Sequence, residues 1–364
     1  MYSIERLMKE LPEKYEEECE KEGAVRRWRG VKSAGDLMLV NMIHLVNGTS
    51  LLETSVIAHE AKLGEMSDVA FMKRLAQCKD WFVSICQKLI CRSIENYEQP
   101  AWLGGKTVVA ADATDVVEKG RSRRTYRLHY MLDVFRMAGV QCKITAQSVG
   151  EALVNFEMKP NMLVIADRMY SNVKGMAHCL NAGADFILRM RKNSFKTRDS
   201  NGNILDLLDI FRGLKTEEHA DLVAFAVSKN GMSVPVRICA KRKTPEQIEK
   251  TMKMLKYRER KGRISDEAKL FNEYIVLVTS LDDTISAQQV LCAYQLRWQV
   301  EIYFKRLKSI LDFGELPKKR PENSLAWLNG KLMVALLIES VIAKSFSPDE
   351  QCGHFDLEEY LARN

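Results

Sequence analysis

Three side chains that can bind phosphate, and one carboxylate among them, recur at helical spacing between residues 285 and 311. They are Tyr294, Arg297, Glu301 and Lys308. Around a helix of about 3.6 residues per turn, all four fall within a stripe about 60° wide. One helix face would therefore present a carboxylate flanked by a phenol, a guanidinium and an ammonium, three groups that bind phosphate oxygens. The alternative is a solvated ion-pair face, since Arg297 and Glu301 are four residues apart, but that does not explain three phosphate-binding groups around one Glu.

Two aspartates stand where predicted strands end. Asp112 follows the β-rich residues 106–111, and Asp167 follows the short apolar run 162–166. Carboxylates at the carboxyl ends of strands lie at the rim of a sheet, where binding sites form. An isolated Asp in such a place is more often a turn former or a helix cap, so neither residue defines a site by itself.

The spacing on the helix resembles the signature of a known family. Tyr-x2-Arg-x3-Glu-x6-Lys is characteristic of the insertion-sequence-four family of DDE transposases, and residues 294–308 match it. With each residue type near ~5% of an average chain, four fixed positions match by chance about once in ~160,000 windows. Residues 112–114 (Asp-Ala-Thr) resemble the family's first-aspartate motif. Residues 167–170 (Asp-Arg-Met-Tyr) resemble its second, with Met169 where the family usually has Gly.

The resemblance implies that Asp112, Asp167 and Glu301 are the catalytic residues and the metal ligands. Phosphodiester cleavage develops charge on the attacking and leaving oxygens, and two metal ions about 3.5–4 Å apart stabilise both. Mg²⁺ prefers oxygen ligands and takes only one or two carboxylates per ion, so three carboxylates suit a pair of Mg²⁺ ions, with Mn²⁺ able to substitute. Without metal the three would repel one another, and at least one pKa would rise.

Several basic and aromatic residues are expected to contact DNA. The resemblance implies that phosphates beside the scissile bond are bound by Tyr294, Arg297 and Lys308, and an Arg can bind a phosphate bidentately. The same role is expected for Arg168 of the second motif and for three residues at the exit of the predicted strand 186–190, although charged residues at a strand exit are common. These three are Arg189, Arg191 and Lys192. Trp298 could stack on a base, but packing beneath its helix is the more ordinary role for an indole there.

The elements that would hold these residues follow a mixed α/β order. Hydrophobic patterning predicts a first group of strands, then a helix, a strand, a helix and a strand, and a final buried strand before the Glu301 helix. The predicted strands are 106–111, 127–135, 140–147, 162–166, 186–190 and 274–279, and the predicted helices include 151–158, one through 177–180, 285–311 and 324–345. The resemblance implies a ribonuclease-H-like mixed sheet flanked by helices, with a β-rich insertion between the second Asp and the Glu. Residues 194–270 read as this insertion, with a hairpin turning at Asn230-Gly231.

The first hundred residues indicate an all-α region. Leu37–Val46 is apolar and ends at Asn47-Gly48, Ser50 opens a capping box with Glu53, and Ser67 can cap the next helix. A further helix is predicted from Trp81 to about Tyr97. Two capped helices joined by a short turn resemble a helix-turn-helix, although an ordinary helical bundle fits the same residues. The predicted helix 324–345 is apolar nearly all round, so it should be buried or lie at a subunit contact.

Composition limits the class of protein. Apolar residues make up 46% and charged residues 28%, as in ordinary soluble globular proteins. The net charge is +7, and residues 241–263 carry all of it, with ten Lys and Arg against three Glu. Such a segment favours a polyanionic partner, although a solvated helix face gives the same pattern. Nine Cys without a C-x-x-C pair indicate free thiols in a reducing cytosol, and neither a secretion signal nor a run of about 18 apolar residues is present.

The sequence therefore predicts a DNA transposase with five regions. It would cleave the ends of its element and join them to target DNA in a bacterial cytoplasm, associated with the nucleoid and acting as a homodimer on paired terminal inverted repeats. Two alternatives remain, a Mg²⁺-dependent DNA nuclease on the same core and a DNA-binding derivative without catalysis. The predicted regions are a helical DNA-end-binding part (1–103), the first part of the catalytic core (104–193), the β-rich basic insertion (194–270), the second part of the core (271–345) and a tail (346–364).

Overall fold

Short apolar and β-branched runs build one mixed sheet, and helices cover both of its faces. The computed structural model describes residues 4–90, 99–118, 124–216, 218–259, 264–316 and 321–345. Within them the strands are β1 (Thr107–Glu118), β2 (Arg124–Asp133), β3 (Ala138–Ala146), β4 (Met162–Ala166), β5 (Asp185–Arg189), β6 (Lys196–Arg198), β7 (His219–Val227), β8 (Ser233–Arg242), β9 (Tyr274–Thr279) and β10 (Glu315–Leu316). The helices are α1 (Ile4–Met8), α2 (Tyr15–Lys21), α3 (Ala34–Asn47), α4 (Leu51–Glu60), α5 (Asp68–Gln77), α6 (Lys79–Ile90), α7 (Val173–Asn181), α8 (Leu207–Phe211), α9 (Pro245–Glu259), α10 (Asp266–Phe271), α11 (Ala287–Gln295), α12 (Trp298–Leu311) and α13 (Pro321–Ser345).

The strand order confirms the predicted α/β class. Across the sheet it is β3-β2-β1-β4-β5-β9-β8-β7-β6, and β10 pairs with β1. β1, β2 and β3 are antiparallel, whereas β4 and β5 run parallel to β1. The predicted insertion hairpin forms as β7 and β8, and it extends the same sheet because β8 pairs with β9, which in turn pairs with β5.

Alternation along the central strands separates two cores. On β1, Val108 and Ala110 face the core that holds α3, α5, α6 and α11–α13. Val109 and Ala111 face a second core with α7 and α8. Because the side-chain period of a strand is two, residue 112 of β1 lies on the same face as Ala110. This face is the one covered by α11 and α12.

The N-terminal helices begin and end as their capping residues predict. The Ser50 side chain accepts the Glu53 backbone N–H, and the Glu53 carboxylate accepts the Ser50 N–H, which completes the capping box. Ser67 caps α5, and Gly48 ends α3 with a left-handed φ of 68°.

The apolar helix α13 packs against α3, α5 and α6. By length and composition alone, residues 322–342 are apolar enough to cross a membrane, which the search for an uninterrupted run of about 18 apolar residues did not detect. However, 72% of this apolar window is buried inside the protein. The prediction of a buried last helix is confirmed, and its burial marks it as the core helix of the N-terminal half.

Three predicted elements differ in the structure. The strand predicted for residues 106–111 continues as β1 to Glu118, because it stays paired with β2 after it leaves β4. Residues 151–158 contain only a 3₁₀ turn, Leu153–Asn155, flanked by extended backbone at Ala152 and Phe156. The predicted helix 285–311 divides into α11 and α12.

Other predictions meet the limits of the described residues. The helix predicted from Trp81 begins two residues earlier, at Lys79, and residues 91–97 lie outside the described part of the chain, as does the tail 346–364. Every cysteine in the described ranges is a free thiol, as predicted: Cys19, Cys78, Cys86, Cys142, Cys179, Cys239 and Cys292.

Candidate active site

Parallel pairing brings Asp112 and Asp167 together. β1 and β4 pair from Thr107 with Met162 to Ala111 with Ala166, so the two aspartates are the next residues in the same register. Both lie on the sheet face that α11 and α12 cover, since Ala110 and Ile165 face that core. The two carboxylates are close enough for the charge of Asp167 to raise the pKa of Asp112. Asp112 therefore stands inside a long strand, at the point where β1 and β4 diverge.

The replacement of Gly by Met169 leaves the second motif intact. Met169 does not adopt a positive φ, so its position does not need glycine. Its backbone N–H donates to Asp167 Oδ1 at 2.7 Å, and its side chain is 55% exposed. The turn therefore holds the Asp167 carboxylate in the way an Asx turn does.

A tight turn between α11 and α12 aligns Tyr294 with Arg297. The N–H of Leu296 donates to Ala293 and that of Arg297 to Tyr294, three residues back in each case. Side chains three apart eclipse one another in such a turn. The Arg297 guanidinium accordingly lies 5.8 Å from the centre of the Tyr294 ring. The uniform helix expected from sequence is wrong at this point, but the two side chains still share a face.

Arg297 links two of the three predicted carboxylates. Its Nη2 donates to Glu301 Oε1 at 2.6 Å, and its Nη1 lies 3.6 Å from Asp112 Oδ2. The Arg297 side chain is only 16% exposed, and its buried Nε has no hydrogen-bond partner in the part of the chain that the structure describes. Two of the three predicted carboxylates, Asp112 and Glu301, thus share the Arg297 guanidinium, and Asp167 acts on Asp112 through its charge.

The electrostatics of Asp112 reflect this crowding. Burial raises the pKa of Asp112 to about 7, the N–H of Ala113 opposes that rise, and the charge of Asp167 adds to it. The Ala113 N–H donates to Asp112 Oδ1 at 2.8 Å. Arg297 also lowers the pKa, but too little to offset burial. A second positive charge placed here would therefore be favourable.

Tyr170 and Glu151 lie near Asp112 and Asp167, although neither was predicted to have a role from the sequence. Tyr170 is fully buried, and its hydroxyl has no hydrogen-bond partner among the described residues. Its pKa is well above the usual value, first because of burial and then because of the charges of Asp112, Glu151 and Asp167. The position of Tyr170 in the second motif was the signal that could have identified it, whereas nothing near Glu151 in the sequence distinguished it.

Lys243, a third residue to which the sequence assigned no individual role, lies near two of the predicted DNA contacts. Lys243 is 7% exposed, and its Nζ donates to the Asn272 carbonyl at 2.6 Å. Burial lowers its pKa to about 8, and the charges of Arg189 and Arg168 lower it further. Arg168 donates to Asn272 Oδ1 at 2.9 Å. Three cations thus gather beyond the carboxyl ends of β4 and β5.

The remaining predicted contacts lie in different settings. Lys192 forms an ion pair with Glu267, whereas Arg191 and Lys308 are exposed. Burial raises the pKa of the half-buried Tyr294 phenol most, the charges of Arg297 and Arg189 lower it, and the charge of Asp167 raises it.

Trp298 is 52% exposed, with Lys305 Nζ 5.0 Å from the centre of its ring. The expectation that its indole packs beneath the helix is therefore wrong. The turn before α12 carries Trp298 outward while it buries the neighbouring Leu296.

The donor set fits divalent cations, although the carboxylates are not gathered at ligand distance. Within the described residues, no three Asp, Glu, His or Cys side chains are grouped closely enough to hold an ion. The groups present are carboxylate oxygens, which hard cations prefer. The raised pKa of Asp112 and the guanidinium between Asp112 and Glu301 both mark a site that attracts positive charge.

Comparison with known proteins shows the family to which the chain belongs. The family model described as "Transposase DDE domain" matches residues 103–337. The chain therefore belongs to the DDE transposase family. As a member it is a DNA transposase, an enzyme that cleaves and transfers DNA strands.

Individual relatives span nearly the whole chain. The putative transposase InsL for insertion sequence element IS186A from Escherichia coli (strain K12) is 30% identical over 353 residues, covering 94% of each protein. The transposase for insertion sequence element IS421 from Escherichia coli is 30% identical over 354 residues, again 94% of each. A solved piggyBac transposase synaptic complex with hairpin DNA has a TM-score of 0.46 at 12% identity, covering 98% of this chain and 76% of that one, a likeness too distant to support a conclusion.

Proposed function

We propose that this transposase cleaves the ends of an insertion sequence and joins them to target DNA through a site formed by Asp112, Asp167 and Glu301. The observation that supports it best is the register of β1 and β4, which makes the two aspartates neighbours on the face covered by the Glu301 helix. These carboxylates would hold two divalent ions, Mg²⁺ in the cell, with Mn²⁺ able to replace it. When bound, such ions activate water or a 3′-hydroxyl and stabilise the leaving oxygen.

Arg297 has to change partners for this site to work. Its guanidinium now neutralises Asp112 and Glu301. Cations bound at the carboxylates would take over that charge and free the guanidinium to bind a phosphate bidentately. Tyr294 would move with it or donate its hydroxyl to the same phosphate, since the two side chains are stacked.

The other DNA contacts follow the positive charges around this site. Lys308 lies exposed on α12, seven residues after Glu301 and thus on the same side of the helix. Arg168 and Arg189 flank the carboxyl ends of β4 and β5, and Arg191 and Lys192 continue the path beyond β5. Exposed Trp298 supports base stacking as a further contact.

The finer classification is also a proposal. Three antiparallel strands followed by two parallel ones, in the order β3-β2-β1-β4-β5, support a ribonuclease-H-like core. The spacing of residues 294–308 supports membership of the insertion-sequence-four group. With it come the remaining expectations: terminal inverted repeats and target duplex as substrates, DNA-end binding by residues 1–103, a homodimer at synapsis, and a bacterial cytoplasm with the nucleoid as the place of action.

The test is a strand-transfer assay with a pre-cut duplex that carries the terminal repeat of the element. We expect Glu301→Gln to abolish cleavage and joining while end binding stays within about twofold, because the amide keeps the shape but loses the ligand charge. Glu17→Gln, an exposed Glu of α2, is the matched control and should retain full activity. Unchanged cleavage by Glu301→Gln would refute the site, and fragments without joined product would favour a nuclease.

A further inference from the structure

A basic loop outside the matched DDE domain is held against the helical region by hydrogen bonds. Residues 24–32 contain four cations and no acidic residue. All four are exposed, and none forms a salt bridge to a described residue: Arg26, Arg27, Arg29 and Lys32. Trp28, in their midst, is 41% exposed and donates its Nε1 hydrogen to Glu20 at 2.7 Å. The loop therefore presents a positive surface whose four cations form no salt bridge with the described residues, while the Glu20 carboxylate accepts from Trp28.

Arg74 of α5 holds this loop through its backbone. Its Nη1 donates to the Ala24 carbonyl at 3.4 Å, and its Nη2 donates to the carbonyls of Arg27 and Arg29 at 3.2 and 3.3 Å. Arg74 is therefore occupied and is not free to read DNA from α5, as a helix-turn-helix arrangement would have allowed. Its charge instead fixes the segment that carries the exposed arginines.

The other end of the loop is fixed to the connection between α4 and α5. Val31 pairs with Gly64, and the Glu65 N–H donates to the Gly30 carbonyl at 2.8 Å. A Cβ on Gly64 would lie 2.1 Å from the Gly30 carbonyl oxygen, so the two backbones approach too closely for any side chain there. Gly30 itself has a φ of +79°. Buried Val25 and Val31 anchor the flanks of the loop.

We propose that this clamped loop, residues 26–32, binds the phosphate backbone of duplex DNA, independently of the candidate active site. Phosphate contacts come mainly from Arg and Lys, and each neutralised phosphate releases counterions. An ordered loop binds with a smaller entropic cost than a disordered tail, since its backbone is already fixed. The proposal rests on the DNA-binding part of the proposed function and places the contact on the loop, away from the exposed face of α5.

The first experiment measures affinity and its salt dependence for two duplexes of equal length, one carrying the terminal repeat and one unrelated. We expect the triple variant Arg26→Ala/Arg27→Ala/Arg29→Ala to bind both at least tenfold more weakly. The slope of log K against log salt should fall by about 0.9 for each lost contact. Lys32→Ala should show a smaller loss, whereas its matched control Lys21→Ala, an exposed lysine among glutamates on α2, should bind like the wild type.

The second experiment uses trypsin, because the loop contains four bonds that trypsin can cleave, three of them after arginines. Bound duplex should protect the bonds after Arg26, Arg27 and Arg29, and Arg74→Ala should expose them in the free protein by releasing the loop. Unchanged affinity and slope in the triple variant, or no protection by DNA, would overturn the proposal, and a loss confined to the terminal repeat would replace it with base readout. Asp167→Asn separates the two proposals, since it should stop cleavage yet keep both the salt slope and the protection.

Discussion

The N-terminal helices and the candidate site around Asp112, Asp167, Arg297 and Glu301 are stabilised in opposite ways. Around α13 the helices use local capping at Ser50 and Ser67 and bury apolar faces. At the candidate site, charged groups from distant segments are partly buried together, and the pKa of Asp112 rises to about 7. One region is arranged for stability, and the other holds charges that would be less costly in water. Substitutions in the first should therefore change unfolding, and those in the second should change catalysis.

The largest expected effect on stability lies in the α13 core. Phe82 of α6 is fully buried, and its ring approaches the α position of Gly330 on α13. Phe82→Ala should lower the free energy of unfolding by about 4 kcal/mol, because it removes a buried ring and leaves a cavity. Denaturant titration measures this, with Val69→Ala, a change at a side chain that is 50% exposed, as the control. A loss no larger than that of the control would show that α6 and α13 are not tightly packed.

Substitutions at the candidate site should change the rate of strand cleavage. Arg297→Gln should slow strand cleavage by about 10²- to 10³-fold, the usual cost of losing one electrostatic contact to the transition state. The Arg297 guanidinium also neutralises Asp112 and Glu301, so its loss leaves these carboxylates more strongly in need of a cation. The rise in Tm on adding Mn²⁺ should therefore be larger for Arg297→Gln than for the wild type. Single-turnover cleavage and thermal shifts with and without Mn²⁺ measure the two effects. A smaller Mn²⁺-induced rise would mean that Arg297 orients Glu301 for the ion instead of substituting for it.

Glu339 of α13 should make the stability of the protein depend on pH. Glu339 of α13 lies beside the stacked rings of Tyr130 and Tyr303, and burial raises its pKa from 4.5 to about 7. Because the folded state holds this proton more tightly than the unfolded state, wild-type stability falls as pH rises from about 4.5 through 7. Glu339→Gln should remove that loss and gain about 2 kcal/mol relative to the wild type between pH 5 and 8. The free energy of unfolding of both proteins is measured as a function of pH. If it changes with pH in the same way for both, the loss of stability does not come from Glu339.

The smallest effect tests a single cap. Ser50→Ala should cost about 1 kcal/mol of stability, because the Glu53 N–H loses its acceptor. Ser50→Asp, which keeps an acceptor, should restore most of that loss. Cleavage by both variants should match the wild type when it is measured well below their Tm. A change in cleavage at that temperature would show that the helical region and the candidate site are coupled.

Local signals in the sequence predicted much of this architecture. The run 162–166 was identified as a strand at its observed bounds, because a fully buried parallel strand is a short apolar run. The capping residues fixed the starts of α4 and α5 in the same way. Both kinds of signal act over a few residues, which is why sequence patterns can detect them.

The differences between the predicted and the observed elements come from contacts between residues far apart in the chain. β1 extends past Asp112 because β2 continues to pair with it, and residues 112–118 show no strand pattern of their own. The division between α11 and α12 depends on burying Leu296 while exposing Trp298. Lys243 was counted only as part of a basic segment, since its burial against Asn272 depends on the fold. The Arg26–Arg29 loop is recognisable as a surface only once Arg74 is seen to hold it.

The position of α13 in the chain has a consequence for biosynthesis. The helix that covers α3, α5 and α6 begins only at Pro321, so those first helices leave the ribosome long before their apolar partner exists. Their apolar faces stay exposed while more than two hundred further residues are translated. During that time aggregation competes with folding. A message truncated before α13 would therefore yield a product without a completed N-terminal half, and nascent chains of this enzyme should depend on holdase chaperones.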